Sequence, residues 1–350
     1  MRIQNAALAV FCLLPICLSA QWLHLKTPGI PRTADGKPEL AAPAPRTSDG
    51  KPDLSGMWRP GPPAGPVPYV VDLIQELQDE AIFKPAAEAL FQKRLSDYGQ
   101  DWPPRHCLPF GPAGALNGIF RFIQSPTVIA MLFNSEVGDD YRQIFLDGRE
   151  LPKDPDPTWR GYSVGHWEQN TLVVETAGFN DRSWLDMAGH PHSENLRVTE
   201  KFQRLDFGHM QFEITFDDPE TMTRPLVVQS VKNYAADTEM QEGVCENEQD
   251  ARHVLPAAKR DVKLSAAVLA RYAGTYDSPP GPPGAARQPM TVSLVNGQLY
   301  VGPLPLVPQS ETSFVWFDGS PWDFSLDAGG AVTGVTRTFS EGRAGFFRKR

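Results

Sequence analysis

The sequence predicts a mainly β protein of two domains. The larger is a curled, barrel-like antiparallel sheet with one or two N-terminal helices; the smaller is an all-β C-terminal domain. Three observations predict this. The 350 residues include 34 prolines and 29 glycines, which mark many turns. From Ile119 onward, short runs alternate apolar and polar residues, as half-buried strands do. An aperiodic stretch, 251–263, separates two such series and reads as a linker.

The first element, 1–20, reads as a signal peptide. Arg2 supplies a minimal positive start, Ala6–Leu18 is apolar, and Leu18-Ser19-Ala20 is a small-residue cleavage site. The run is too short to span a bilayer comfortably, and no later run reaches about 18 apolar residues. The expectation is a periplasmic or secreted protein with no membrane insertion after cleavage. A net charge of −9 without a basic stripe argues against a nucleic-acid partner. Cys12 and Cys17 leave with the leader. Cys107 and Cys245 remain in an oxidising compartment, where a disulfide between them is expected; two unrelated buried thiols are the alternative.

Residues 21–53 read as a Pro-rich linker holding a near-duplicate. Pro31-Arg-Thr-Ala-Asp-Gly-Lys-Pro-Glu-Leu40 returns 14 residues later as Pro45-Arg-Thr-Ser-Asp-Gly-Lys-Pro-Asp-Leu54, identical at eight of ten positions. Pro and Asp-Gly imply a turn in each copy. One copy is expected to dock while the other is spare.

The main domain, 54–250, opens with a strand at Leu54–Trp58. A helix follows from Pro85, a residue suited to a first turn, to a stop at Gly99; an earlier run, Val71–Phe83, suggests a second helix. Strands are expected at Ile119–Gln124, Thr127–Asn134, Tyr141–Leu146, Gly161–Glu168, Thr171–Thr176, Leu196–Leu205, His209–Phe216 and Leu226–Lys232. Sequential hairpins would make an antiparallel meander able to close into a barrel. The small domain, 264–350, starts with a helical turn and a strand ending at Tyr276. Further strands are expected at Met290–Leu294, Gln298–Val301, Ser313–Phe317, Trp322–Leu326, Val332–Thr338 and Gly345–Arg348, with a tight turn at Asn296-Gly297.

Two resemblances follow from motifs. In 264–350, Leu269, Tyr272, Gly274, Tyr276, Gly297, Leu299, Tyr300, Gly330, Val332 and Gly334 resemble the lipocalin-like module appended to serine β-lactamase-like hydrolases. That resemblance implies a fold rather than an activity. Residues 45–250 resemble a large group of exported bacterial proteins of unknown function. The carrying residues are Asp49-Gly-Lys-Pro-Asp-Leu-Ser-Gly56 with Trp58, Cys107-Leu-Pro109, Asp147-Gly-Arg149 and Gly161-Tyr-Ser-Val-Gly165. They continue with Trp167-Glu168, Thr171-Leu-Val-Val174, Asp186, His192-Ser-Glu194 and Cys245-Glu-Asn247.

Residues 161–202 are the densest in chemistry: strand-like runs frame a polar loop carrying Asp181, Asp186, His190, His192 and Glu194. Asp186, His192 and Glu194 are candidate catalytic residues, because a histidine held by a carboxylate exchanges protons near neutral pH. His190 and His192, with Asp186 and Glu194, also offer imidazole and carboxylate ligands for a divalent metal, and His166 joins them if its strand lies alongside. Arg149, Tyr162, Trp167 and Trp184 suit an apolar cavity with a polar mouth. The leading expectation is therefore binding of a small, mainly apolar ligand in the larger domain, with the 181–194 loop at the cavity mouth. The alternatives are an acid–base or metal-dependent isomerase or hydrolase using that loop, and a structural envelope component.

Overall fold

The computed structural model describes residues 25–61, 82–97, 99, 101–117, 119–134, 140–240, 262–277, 289–302, 304–316, 320–338 and 344–350. The chain is mainly β and forms two closed barrels, of nine and eight strands. The leader, Val71–Ala81 of the suggested second helix, Cys245 and the 251–261 part of the linker lie outside the described residues.

The larger barrel comprises β1 (Gly56–Pro60), β2 (Ile119–Gln124), β3 (Val128–Asn134), β4 (Asp140–Phe145), β5 (Tyr162–Glu168), β6 (Thr171–Ala177), β7 (Arg197–Arg204), β8 (His209–Asp217) and β9 (Leu226–Tyr234). Strand order follows chain order, and β1 closes on β9 with Trp58 opposite Tyr234. One junction departs from the expected antiparallel meander. β4 and β5 pair in parallel, Ile144 opposite Ser163 and Phe145 opposite Val164. Parallel neighbours need a long return connection, and residues 146–161 supply it. The sequence disguises this because both strands alternate like their neighbours. Two glycines permit the junction. Gly161 enters β5 at φ +67°, and a Cβ on Gly165 would lie 2.9 Å from both Ile144 Cγ2 and Leu146 Cδ2.

The pairing directions place the ends of β1, β3, β6 and β8 at one rim, which we call the upper rim. The helices α1 (Pro85–Ser96) and α2 (Gly114–Asn117), a 3-10 turn (Pro103–His106) and the 178–196 loop all belong to connections at this rim. Inside, Trp58, Phe120, Phe122, Met131, Phe202, Phe212, Ile214 and Phe216 form the core. Each falls on the inward parity of its strand, so alternation read from the sequence also selects the core.

Both copies of the duplicated segment fold, rather than one. Thr33 N bonds Lys37 O and Glu39 N bonds Pro31 O; Thr47 N bonds Lys51 O and Asp53 N bonds Pro45 O in the same pattern. Both copies also engage the larger barrel. Arg32 pairs with Asp237, while Gly208 N bonds Leu40 O. In the second copy Gln124 bonds Pro52 O and Arg204 bonds Asp53 O.

The smaller barrel follows α3 (Ala266–Ala270). It comprises β10 (Gly274–Asp277), β11 (Met290–Val295), β12 (Gln298–Val301), β13 (Leu304–Pro308), β14 (Ser313–Val315), β15 (Pro321–Leu326), β16 (Val332–Thr338) and β17 (Ala344–Lys349). The turn at Asn296-Gly297 has φ of 49° and 82°, the paired positive values of a tight hairpin. β13 is a strand beyond those expected, and it carries two prolines, Pro305 and Pro308, which strands usually exclude. Pro305 pairs only with Tyr300 on β12, and β14 pairs from Val307 onward, so its missing N–H falls on the open side. The interior is aromatic: Tyr272, Tyr276, Phe314, Trp322 and Phe324.

Candidate functional site

The polar loop, 178–196, is a hydrogen-bonded cover at the upper rim. Asp186 bonds His190 rather than His192. Its carboxylate accepts His190 Nδ1 at 2.6 Å and the backbone N–H groups of Gly189 and His190 at 3.0 and 3.1 Å. The His190 ring stacks between Phe83 and Phe91, at centroid distances of 4.7 and 3.8 Å. Arg94 of α1 donates to Gly189 O at 2.9 Å and lies over Trp184. Trp184 itself packs with Phe91, Trp102, Ala188 and Leu304. A stacked, doubly held histidine anchors the loop to α1.

His192 belongs to a different pair. Its Nε2 lies 2.7 Å from Ser183 Oγ, and its Nδ1 donates to Ser193 O at 3.1 Å. That backbone bond fixes the tautomer and leaves Nε2 to accept the Ser183 hydroxyl proton. Burial pushes the His192 pKa down, against the opposing Ser193 hydrogen bond, so the ring is neutral at pH 7. Ser193 in turn is held by Asp218, which accepts its N–H at 2.6 Å and its hydroxyl at 2.8 Å. Glu194 points away. It is exposed and lines a polar cleft of about 190 Å3 with Lys153, Asp154, Asn195 and Arg197.

The remaining candidates also separate. Arg149 and Tyr162 meet, Nη1 to Oη at 2.8 Å, and the guanidinium caps the Phe145 ring that stacks on Tyr162. Tyr162 and Phe145 have outward parity, so this cluster sits on the outer wall at the β4–β5 junction. Trp167 packs against the core, and His166 is exposed beside Glu168. Among the described residues, no three His, Cys, Asp or Glu side chains converge as a metal site would need.

Sequence reasoning misses the strongest concentration of charge, which lies inside the barrel. Arg142 on β4 and Glu200 on β7 form a buried two-pronged ion pair, with Nη1–Oε2 at 2.6 Å and Nη2–Oε1 at 3.1 Å. Toward the upper rim, Arg160 pairs with Asp140 at 2.6 Å, donates to Gly111 O and covers the Phe133 ring. Ser163 Oγ and Thr176 Oγ1 bond at 2.9 Å. Lys232 on β9 is fully buried; its Nζ donates to Leu116 O at 2.7 Å and sits 5.1 Å from the Phe212 ring centre. Burial alone pushes its pKa down to about 7.

A signal for this layer was present. Arg142, Glu200 and Lys232 occupy inward parity beside apolar inward positions: Ile144 on β4, Val198 and Phe202 on β7, Leu226 and Val228 on β9. A charge there breaks the alternation. Gly161–Gly165 also spells Gly-x-Ser-x-Gly, the pattern of a nucleophile elbow. Ser163 nevertheless lies within a strand and faces Thr176, not a strand-to-helix turn.

Two Arg142 and Ser230 side-chain atoms sharpen the picture. Arg142 Nε and Ser230 Oγ are buried without a hydrogen-bond partner. Every charged side chain buried among the described residues belongs to the larger barrel or to segments at its ends; the smaller barrel contributes only Ser320 as a buried polar residue. Architecture and interior together define a class: a two-barrel β protein whose larger barrel encloses an ionic layer. Compared with known proteins, the chain matches no family model. No curated protein matches it either.

Proposed function

We propose that the larger barrel binds a small, mainly apolar ligand whose polar end meets the interior ionic layer. The observation that supports this reading is the pairing of aromatic walls with buried donors that lack acceptors, Arg142 Nε and Ser230 Oγ. A purely structural barrel gains nothing from such groups. A buried ion pair costs several kcal/mol of desolvation per ion, and apolar replacements of similar volume are often as stable or more so. An apolar chamber with a few convergent polar groups is the usual form of a small-molecule site. The loop at 178–196 would then serve as its cover. Incubating the purified protein with a lipophilic extract and identifying retained compounds by mass spectrometry tests the reading. We expect a compound retained above a denatured control; equal retention by both would overturn the reading and favour a structural envelope role.

One observation favours a second reading, an acid–base or nucleophilic enzyme: the Ser183–His192 pair with its backbone-fixed tautomer. It replaces the Asp186–His192–Glu194 grouping as the enzyme hypothesis. A fluorophosphonate probe that labels Ser183, and labels no serine in a His192→Gln variant, would support it.

We propose export to the periplasm or medium, as for the bacterial proteins whose motifs this chain resembles. The leader-like 1–20 segment supports this. We also propose a Cys107–Cys245 disulfide, supported by the disulfide-bonded geometry of Cys107 and by the expected loss of Cys12 and Cys17 with the leader. Among the described residues, no helix is long and apolar enough to cross a membrane.

A further inference from the structure

We propose that Lys232 is a covalent attachment site within the larger barrel, condensing with an aldehyde or ketone that carries an apolar tail. This rests on the apolar-ligand reading above and names the ligand's reactive group. The step is a condensation: the amine lone pair adds to the carbonyl carbon, the carbinolamine loses water, and a C=N bond joins ligand to Nζ.

Five observations carry it. Lys232 faces inward on β9 and is fully buried. Its Nζ donates to a backbone carbonyl, Leu116 O, at 2.7 Å. Among the described residues no carboxylate forms an ion pair with it, in contrast to Arg142 and Arg160 in the same interior. An ammonium without a counter-ion in an apolar setting gives up its proton, and the neutral amine is the nucleophile. Its surroundings are apolar: Phe212 lies beneath Nζ, Met210 faces it from β8, and the buried Leu116 supplies the carbonyl. Ser230 shares the inward face two residues earlier on β9. Its hydroxyl is buried and without a hydrogen-bond partner, a polar group on the same face as the amine. The pKa of about 7 agrees with this geometry.

Octanal with sodium cyanoborohydride at neutral pH tests the assignment, because the hydride fixes any imine as a stable secondary amine. Peptide mapping then reads each lysine. Lys201 is an internal control: it is solvent-facing and its pKa is raised by Glu213. A solvated lysine with pKa about 10.4 is neutral in fewer than about one molecule in a thousand at pH 7. We expect the Lys232 peptide to be modified at least about a hundredfold more than the Lys201 peptide. We also expect no comparable adduct in a Lys232→Met variant that retains its far-UV spectrum. In parallel, the neutral fluorophore N-phenyl-1-naphthylamine, which has no carbonyl, reports apolar binding alone. Fluorophore bound with adducts spread over surface lysines overturns the covalent assignment and leaves the apolar-ligand reading standing. Neither fluorophore nor adduct overturns both.

Discussion

Arg142 and Glu200 meet across the interior of the larger barrel through two hydrogen bonds, from strands β4 and β7 that are not neighbours in the sheet. The pair therefore ties two walls together at the cost of burying two charges. Removing one partner strands the other. Glu200→Gln should lower unfolding stability by about 3 to 5 kcal/mol in urea denaturation. An Arg142→Met, Glu200→Leu double variant should recover most of that loss yet retain less ligand than wild type. Full retention by the double variant would separate the ionic layer from binding.

Lys232 makes stability depend on alkaline pH. Its folded pKa is near 7 against 10.5 for an ordinary lysine. Between those values the folded side chain is neutral while the unfolded one is charged, so unfolding takes up a proton. Stability then rises with pH across that window. Lys232→Met should flatten the rise and be more stable than wild type at pH 7, by on the order of a few kcal/mol less the lost Leu116 hydrogen bond. Urea midpoints at pH 7 and pH 10 check both the slope and its sign.

Asp218 sets the acid limit at the rim. Burial works to raise its pKa, but hydrogen bonds from Ser193, Thr221 and Glu220 outweigh it and the net shift is downward. A depressed carboxylate contributes stability above its unfolded pKa of about 3.8 and loses it as pH falls through the folded value. Asp218→Asn should lower the midpoint at pH 7 and narrow the difference between pH 7 and pH 3.

Asp186 accepts from His190 Nδ1 and from the backbone N–H groups of Gly189 and His190. Asp186→Asn should cost about 2 to 3 kcal/mol, since buried N–H groups lose a charged acceptor. Hydrogen exchange should show protection lost at 185–190 and kept in β6 and β7. Loss spread evenly through the barrel would mean that the loop and the barrel open together.

The proposed Cys107–Cys245 bridge closes a long loop, worth about 4 to 5 kcal/mol in the chain-entropy model. Thiol titration of the denatured, unreduced protein should find both residues blocked, and Cys107→Ser should lower the thermal midpoint.

Most strands are legible in the sequence because inward positions such as Phe120, Phe122, Phe202 and Phe212 alternate with polar ones. The β4–β5 direction is not, since Ile144 and Ser163 alternate alike in either orientation. Asp186, His190 and His192 stand out as a cluster, but their division into two separate pairs depends on the path of the loop. Glu200 is hidden by its charged neighbour Lys201, which faces solvent beside Glu213. Only the count from Val198 and Phe202 shows that Glu200 must point inward.

The parallel β4–β5 pair makes the nine-stranded barrel two antiparallel meanders, β1–β4 and β5–β9, joined at one seam and closed by Trp58 opposite Tyr234. Most pairs within each meander are local hairpins, but β1 meets β2 and β9 only across long stretches of chain, so closure through β1 is the slow event in folding. The 146–161 return is correspondingly the natural place to cut the chain. Two fragments divided there would each carry a complete meander and reunite through their edges. The ionic layer would be rebuilt with them, Arg142 from one fragment and Glu200 from the other.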